Sequence, residues 1–267
     1  MLDEAQIDQA AADLYHAERA AQPIDPISLT YPDMTLDDAH AIQQQFVARK
    51  MADGERLVGY KIGYTSRAMQ KALNITEPDF GVLLDSMVIP DGGEIEAAKF
   101  CDPRIEAELA FVLKERLAGE HVTIFDVLNA TDYVVPALEI IAARSHRKHP
   151  ETGYTRKVVD TVADNAGNAA IIMGGRPIKP DAMDLRWCGG ILYLNGVIEE
   201  TGLAAAVLNH PANGICWVAK RFAPHGVALE PGQIILSGSF TAPVAVGAGD
   251  TIHVDYGPLG GVSCRFV

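Results

Sequence analysis

The spacing of apolar residues divides the chain into a helical beginning and a strand-rich remainder. Apolar positions recur every three or four residues in two early segments, which is the periodicity of helices that bury one face. They are Ile7, Ala10, Leu14 and Ala17 in the first segment, and Leu36, Ala39, Ile42 and Phe46 in the second. We therefore predict one helix over residues 3–20 and another between Thr35, as its N-cap, and Gly54. These helices define an N-terminal layer over residues 1–56, followed by a second domain over residues 57–267.

Short alternating segments begin at residue 57 and predict β-strands. In residues 58–63, three apolar side chains alternate with Gly59, Lys61 and Gly63. Because alternate residues of a strand share a face, Lys61 is the only large side chain on its face. Two interpretations stay open: an edge-strand lysine that points into water, or a functional lysine with space beside it. Asp79 lies in residues 77–81, a pattern typical of a turn before a strand at 82–84.

Residues 104–111 predict a strand that carries two acids on one face. Glu106 and Glu108 are two positions apart, so their side chains point the same way, about 6–7 Å apart along the strand. The opposite face is entirely apolar. A third acid, Glu139, lies in an apolar strand over residues 133–141, where Pro136 predicts an edge or a bulge. Buried carboxylates need either a cationic partner or a metal.

Ion pairing and metal binding are both compatible with these three acids. Arg104, Arg144 and Arg186 are available as cationic partners. If a metal binds, carboxylate oxygens without His or Cys favour Mg²⁺ or Mn²⁺ over zinc. Three carboxylates do not fill an octahedron, so positions would remain for water and for a chelating substrate.

Residues 142–165 form a long polar segment in which positive charge is concentrated. The basic residues are Arg144, Arg147, Lys148, Arg156 and Lys157. A segment of this length inside a compact domain more often forms a functional lid than an inert loop. We predict that Arg144 or Arg147 contacts an anionic substrate, with a solvated charged loop as the alternative.

The overall composition excludes several classes of protein. A net charge of −13 and a pI of about 5.0 argue against sequence-independent nucleic-acid binding, which requires a basic surface. No apolar run reaches the roughly 18–20 residues of a membrane span, and the acidic N-terminus lacks the features of a signal peptide. The four cysteines form no C-x-x-C pair and are expected to be free, buried thiols. We therefore expect a cytoplasmic protein without nucleic-acid or membrane partners.

Several motifs resemble the hydratase/decarboxylase group of the fumarylacetoacetate hydrolase superfamily, nearly from end to end. They are G-Y-K-I-G-Y-T-S (59–66), E-P-D-F-G (77–81), P-R-I-E-A-E-L-A-F (103–111), P-A-L-E-I-I (136–141), A-D-N-A (163–166), L-N-H-P-A-N-G (208–214) and L-E-P-G-Q-I-I-L-S-G-S-F-T (229–241). The combination of E-x-E, a later Glu and the lysine motif makes this resemblance specific.

The resemblance implies an α+β fold with a mixed, highly twisted β-sheet core, a bound Mg²⁺ or Mn²⁺, and homo-oligomers. It implies that Glu106, Glu108 and Glu139 are the metal ligands. Lys61 and Asp79 match the positions that handle protons. Further substrate contacts are predicted for Arg144, Arg147, Asn165 and Ser239, with the basic loop over residues 144–157 expected to hold the distal carboxylate of the substrate.

The implied activity is the hydration of a 2-oxo-enoate, with a seven-carbon 2-oxo dicarboxylate from aromatic catabolism as the expected substrate. Hydration of a shorter 2-hydroxydienoate and decarboxylation of 2-oxo-3-hexenedioate are alternatives, because the same metal site would serve all three. Hydrolysis of a carbon–carbon bond usually needs a His–Glu dyad, and no His lies between His40 and His121. A non-enzymatic partner subunit would be expected to have lost the acids, and all three are present.

Overall fold

The computed structural model describes residues 1–267 and contains both predicted N-terminal helices. The α-helices are α1 (Glu4–Ala20), α2 (Ile27–Thr30), α3 (Leu36–Ala52), α4 (Arg67–Leu73), α5 (Ile124–Ala130), α6 (Val158–Ala163) and α7 (Ala212–Phe222). The first long helix begins after Asp3 and the second after Thr35. Both caps form a capping box, in which the cap side chain and the third helical residue satisfy each other's backbone N–H groups.

Thirteen strands form two sheets. They are β1 (Leu57–Gly63), β2 (Asp79–Leu84), β3 (Val88–Pro90), β4 (Glu94–Ile95), β5 (Arg104–Leu113), β6 (Thr131–Ile141), β7 (Asn168–Met173), β8 (Gly189–Leu194), β9 (Val197–Leu203), β10 (Ile234–Leu236), β11 (Val244–Ala245), β12 (Thr251–Asp255) and β13 (Gly261–Phe266). The larger sheet has the order β2-β1-β10-β5-β6-β7-β3, with β11 paired to β5, and the smaller has the order β4-β13-β12-β8-β9. Because β1 pairs with β10 in parallel while β5 and β6 are antiparallel, the predicted α+β class with a mixed sheet is confirmed.

The alternation predicted for β5 determines which of its faces is free for chemistry. Four side chains on one face are fully buried in the main hydrophobic core: Ile105, Ala107, Leu109 and Phe111. Buried residues of β8, β12 and β13 belong to the same core, so the smaller sheet covers this face. Burying each large apolar side chain contributes about 1.5–3 kcal/mol. A one-residue slip of β5 would exchange these side chains for Glu106 and Glu108, so the register is strongly specified.

The position of Pro136 differs from its prediction. β6 lies inside the larger sheet, between β5 and β7, and its register is continuous at Pro136, so this residue is neither at an edge nor in a bulge. Two residues earlier, Val134 donates its N–H to the carbonyl of Ile178, on the side of the sheet where β7 lies. The N–H that proline lacks would point to that same side, and the ladder with β7 begins only at Ala137. No hydrogen bond to β5 is lost.

The helical layer and the sheets share hydrophobic packing. Side chains of α1, α3 and α6 form a second buried cluster that also includes Leu84 and Met87 from the domain after residue 56. The boundary at residue 56 stays a prediction. All four cysteines are buried and unpaired, as predicted. None of the helices combines the length and apolar character needed to cross a lipid bilayer.

Candidate active site

A cavity of about 520 Å³ opens over one face of the larger sheet. Its floor includes the five residues predicted to carry chemistry: Lys61 from β1, Asp79 from β2, Glu106 and Glu108 from β5, and Glu139 from β6. Its walls include residues 155–158 and the loop at 239–243. The fold thus brings together side chains that are separated by up to about 80 positions in the sequence.

The three glutamates form a compact cluster at the bottom of the cavity. Glu106 stands directly opposite Glu139 in the register of β5 and β6, and Glu108 follows on the same face. One oxygen from each carboxylate lies within 4.8 Å of the others. Glu108 and Glu139 are almost fully buried, and each is held by a neutral donor: the Gly238 N–H at 2.9 Å and the Asn168 side-chain amide at 2.8 Å.

The three carboxylates of the cluster carry more negative charge than the cationic side chains around them neutralise. Burial raises the pKa of Glu106 to about 7, and the charge of Glu139 adds to the rise. Burial also raises the pKa of Glu108 well above its ordinary value, with Glu139 and Glu106 adding to it. Buried oxygen donors that repel one another fit a hard divalent cation, which would stabilise all three in the ionised form. The residues present therefore suit Mg²⁺ or Mn²⁺.

Lys61 lies beside the cluster and not at an edge. Its strand is flanked by β2 and β10, and its Nζ is 3.5 Å from Glu139 Oε1. Burial alone would lower the pKa of Lys61, but the charges of Glu139 and Asp79 outweigh it and hold the pKa above its ordinary value. Glycines make room: a Cβ on Gly81 would approach Lys61 Cγ to 3.2 Å, and one on Gly63 would approach Asp79 Oδ1 to 2.1 Å. The edge-strand interpretation is wrong.

Asp79 begins β2 and is not part of a preceding turn. It pairs with Gly63 in the antiparallel ladder and is buried, and neither of its carboxylate oxygens has a hydrogen-bond partner. Burial raises its pKa to about 6, Lys61 opposes this rise, and Glu139 adds to it. A buried carboxyl without a partner that titrates close to neutrality is suited to giving and taking a proton.

The four predicted substrate contacts divide into two pairs. Arg147 and Ser239 line the cavity, whereas Arg144 and Asn165 do not, so the prediction is wrong for the latter two. The side chain of Asn165 is fully buried and exchanges hydrogen bonds of 2.8 and 2.9 Å with the backbone of Val82, which holds β2 in place. A polar residue of the A-D-N-A motif (163–166) thus stabilises the structure of the sheet.

Arg144 is fully buried in an ion-pair network behind the cavity. It pairs with Glu18 of α1 and with Asp164, and it donates to the carbonyl of Asn168 at 2.7 Å. Glu18 also pairs with Lys50 of α3. The segment 142–165 is therefore only partly a wall of the cavity; it also contains α6 and a link to the N-terminal helices. The sequence indicated the charge of Arg144 but not its partner, which is 126 positions away.

We expect Glu18→Gln to lower the free energy of unfolding at pH 7 by about 3 kcal/mol. Burial alone would raise the pKa of Glu18, but Arg144 and Lys50 lower it from 4.5 to about 2. A carboxylate with a depressed folded-state pKa stabilises the fold above its unfolded pKa and loses that contribution as the pH falls. In urea unfolding, the difference from the wild type should shrink as the pH falls from about 4.5 toward 2.

The matched control for this prediction is Glu120→Gln. Glu120 is exposed and makes no ion pair, so its replacement should change stability little at any pH. A stability difference for Glu18→Gln that is absent at pH 7, or that stays constant down to pH 3, would contradict the assignment.

Two arginines that line the cavity were not among the four named substrate contacts. Arg104 shares a face of β5 with Glu106, and Arg156 lies in the basic segment beyond Arg147; both line the cavity. The alternation that identified the acids also places Arg104 on the functional face, so this signal was present in the sequence. Arg156 could not be distinguished from Arg144 by sequence, because charge does not reveal burial.

Comparison with known proteins agrees with this geometry. The family model described as fumarylacetoacetate (FAA) hydrolase, C-terminal, matches residues 48–267, and the chain belongs to this family. It is 58% identical over 254 residues to the 2-oxo-hept-4-ene-1,7-dioate hydratase of Escherichia coli, covering 95% of each protein. It is 41% identical over 261 residues to a 2-keto-4-pentenoate hydratase of Paraburkholderia xenovorans (strain LB400), covering 98% of this chain and 95% of the relative.

A solved structure matches over the whole chain. The 4-oxalocrotonate decarboxylase from Pseudomonas putida G7, complexed with magnesium and adipate, aligns with a TM-score of 0.94 at 36% identity, covering 100% of this chain and 99% of that chain. The family resemblance read from the motifs and the fold expected from it are both confirmed.

Proposed function

We propose that the protein is a metal-dependent hydro-lyase that adds water to 2-oxo-hept-4-ene-1,7-dioate, supplied as its 2-hydroxydienoate tautomer, to give 4-hydroxy-2-oxoheptanedioate. The observation that carries this proposal is the cluster of three carboxylates beside Lys61 and Asp79 in one cavity. The 58% identity to the hydratase supports this choice of substrate and a role in aromatic catabolism, in homoprotocatechuate meta-cleavage.

Glu106, Glu108 and Glu139 would hold Mg²⁺ or Mn²⁺. When bound, the ion supplies Lewis-acid polarisation of a 2-oxo acid, and three carboxylates leave coordination positions for such a chelating ligand. The magnesium in the related decarboxylase structure supports this assignment.

Asp79 and Lys61 divide the remaining chemistry between them. Asp79 would protonate C5 while the 2-hydroxyl group of the dienol loses its proton, so that the 2-oxo group forms and the remaining double bond lies at C3–C4, in conjugation with it. Water then adds its oxygen at C4, and a proton passes to C3, so that the net change is one molecule of water. Lys61 Nζ is 3.5 Å from Glu139 Oε1, where an ammonium group would stabilise negative charge developing on the substrate.

Decarboxylation of 2-oxo-3-hexenedioate is the second candidate, because the aligned decarboxylase structure supports it. The two functions can be separated by mixing purified protein and Mg²⁺ with each substrate. We expect loss of the diene absorbance of the seven-carbon substrate without release of CO₂, and a product heavier by one water. Release of CO₂ in proportion to substrate consumed would contradict hydration.

We also propose a homo-oligomeric, cytoplasmic protein with a small-molecule 2-oxo dicarboxylate as its ligand. Four free cysteines fit a reducing compartment. Exposed apolar side chains on neighbouring strands, Ile191 on β8 and Val197, Ile198 and Leu203 on β9, suit a subunit interface. The adipate in the related decarboxylase structure supports a dicarboxylate ligand.

A further inference from the structure

Arg104 lies in the cavity without a partner. It is two positions before Glu106 on the same face of β5, and it lines the cavity with the acids. Its guanidinium group makes no ion pair within the chain, and its Nε is buried without a hydrogen-bond partner. A buried Nε–H group without an acceptor is costly unless an anion binds to the guanidinium group.

Two further arginines line the same part of the cavity, but each is anchored. Arg147 donates from Nε to Asp102 Oδ2 at 2.7 Å, and Arg156 approaches Asp164 Oδ2 at 3.5 Å. Burial lowers the pKa of Arg147, and the charges of Arg156 and Arg104 lower it further, so the three guanidinium groups repel one another. A strongly acidic protein thus concentrates positive charge beside its acidic cluster.

We propose that Arg104, flanked by Arg147 and Arg156, is the receptor for the distal carboxylate of a 2-oxo dicarboxylate. This inference rests on the proposed function, since the other end of such a substrate would lie at the three glutamates. Arg104 and Glu106 are two residues apart on one strand, which separates their Cα atoms by about 7 Å. Arg104 and Glu106 belong to the same strand, so the distance between the two binding sites is fixed. A ligand that occupies both sites must therefore have its two carboxylates at a matching distance.

The free donors of Arg104 can bind a carboxylate bidentately, which adds geometric specificity to the charge. A monocarboxylate of the same length would leave these donors unpaired, and a site built for a charged group discriminates strongly against a ligand that lacks it. The arginines would therefore select dicarboxylates over monocarboxylates, while the acids and Lys61 serve both.

Binding and turnover together test this proposal. Calorimetric titration of the Mg²⁺-loaded wild type should show heptanedioate binding about 10- to 100-fold more tightly than heptanoate. Arg104→Met should abolish most of that preference by weakening heptanedioate only. In turnover, it should raise KM for the seven-carbon dicarboxylate and leave KM for 2-hydroxypenta-2,4-dienoate unchanged. Arg265→Met, at an exposed position on β13 outside the cavity, is the matched control and should change neither.

The outcomes separate this inference from the proposed function. If no dienoate is hydrated but Arg104→Met still abolishes the preference for heptanedioate over heptanoate, the proposed function is contradicted and the role of Arg104 as the carboxylate receptor is supported. Equal wild-type affinities for heptanedioate and heptanoate would overturn the receptor even if hydration is observed, and this comparison needs no variant to fold. An Arg104→Met protein that keeps the preference, or that weakens both ligands equally, would also overturn it.

Discussion

Glu139→Gln is expected to reduce kcat by about 1,000-fold or more and to remove the dependence of turnover on Mg²⁺. Glu139 stands opposite Glu106 and contributes one of the three clustered oxygens, so its loss leaves two carboxylates for the cation. Metal affinity measured by titration should fall with activity. Chelation of the metal in the wild type by EDTA should have the same effect as the substitution.

The substitution should leave the fold intact. Glutamine has the same shape and keeps an oxygen that can accept the 2.8 Å hydrogen bond from Asn168 Nδ2. Glu139 is also the strongest charged neighbour that raises the pKa of Glu106 and Glu108, so its neutralisation relieves repulsion in the metal-free protein. Thermal stability without metal should therefore be unchanged or higher. Full activity of the wild type in EDTA would contradict the metal model.

Glu94→Gln is the matched control for this prediction. Glu94 lies on β4 and is exposed, outside the cavity. Its variant should keep wild-type kcat and Mg²⁺ dependence. An equal loss of activity in both variants would point to a general effect of lowered negative charge and not to ligation by Glu139.

The sequence was most informative where side-chain alternation coincides with burial. The apolar face of β5 made the position of Glu106 and Glu108 predictable, because a slip in register would have buried both acids in the hydrophobic core. Glu139 was identified differently, as the one acid in an otherwise apolar strand. Alternation could not show that Glu106 stands opposite Glu139, since strand pairing depends on contacts distant in sequence. The motif resemblance implied only that the three acids bind one metal, and the register of β5 and β6 shows how they meet.

The predictions failed where a property of the tertiary structure decided the outcome. Arg144 and Arg147 are three positions apart in one basic segment, yet the first is enclosed by Glu18 and Asp164 while the second reaches the cavity. Pro136 was predicted to lie at an edge or in a bulge because proline lacks an N–H, but the missing group points away from β5. The residue types indicated that Arg144 requires an anionic partner and that Pro136 requires a position where no N–H hydrogen bond is made. Only the tertiary structure shows which partner and which position these are.

Lys61→Met is expected to lower kcat by about 100- to 10,000-fold, the range typical for loss of a group that acts on charge or protons at the reacting centre. The same variant should bind Mg²⁺ more tightly, by about tenfold. The ammonium group and the metal are both cations, so they repel each other and are attracted to the same carboxylates. Lys61 Nζ is 3.5 Å from Glu139 Oε1, and both side chains are buried, so this competition is little screened. Opposite changes in rate and metal affinity distinguish a catalytic lysine from one that only assembles the metal site.

The measurement is a metal titration of the Lys61→Met protein together with its kcat at saturating Mg²⁺. Lys220→Met, an exposed substitution at the end of α7, is the control and should change neither quantity. A parallel loss of rate and metal affinity would mean that Lys61 supports the ligands without acting in the reaction. Because methionine fills a similar volume between Gly63 and Gly81, the variant should fold, and in Mg²⁺ its stability should match that of the wild type. In the metal-free protein it should be less stable, since three buried acids then lose the nearest cation that opposes their repulsion.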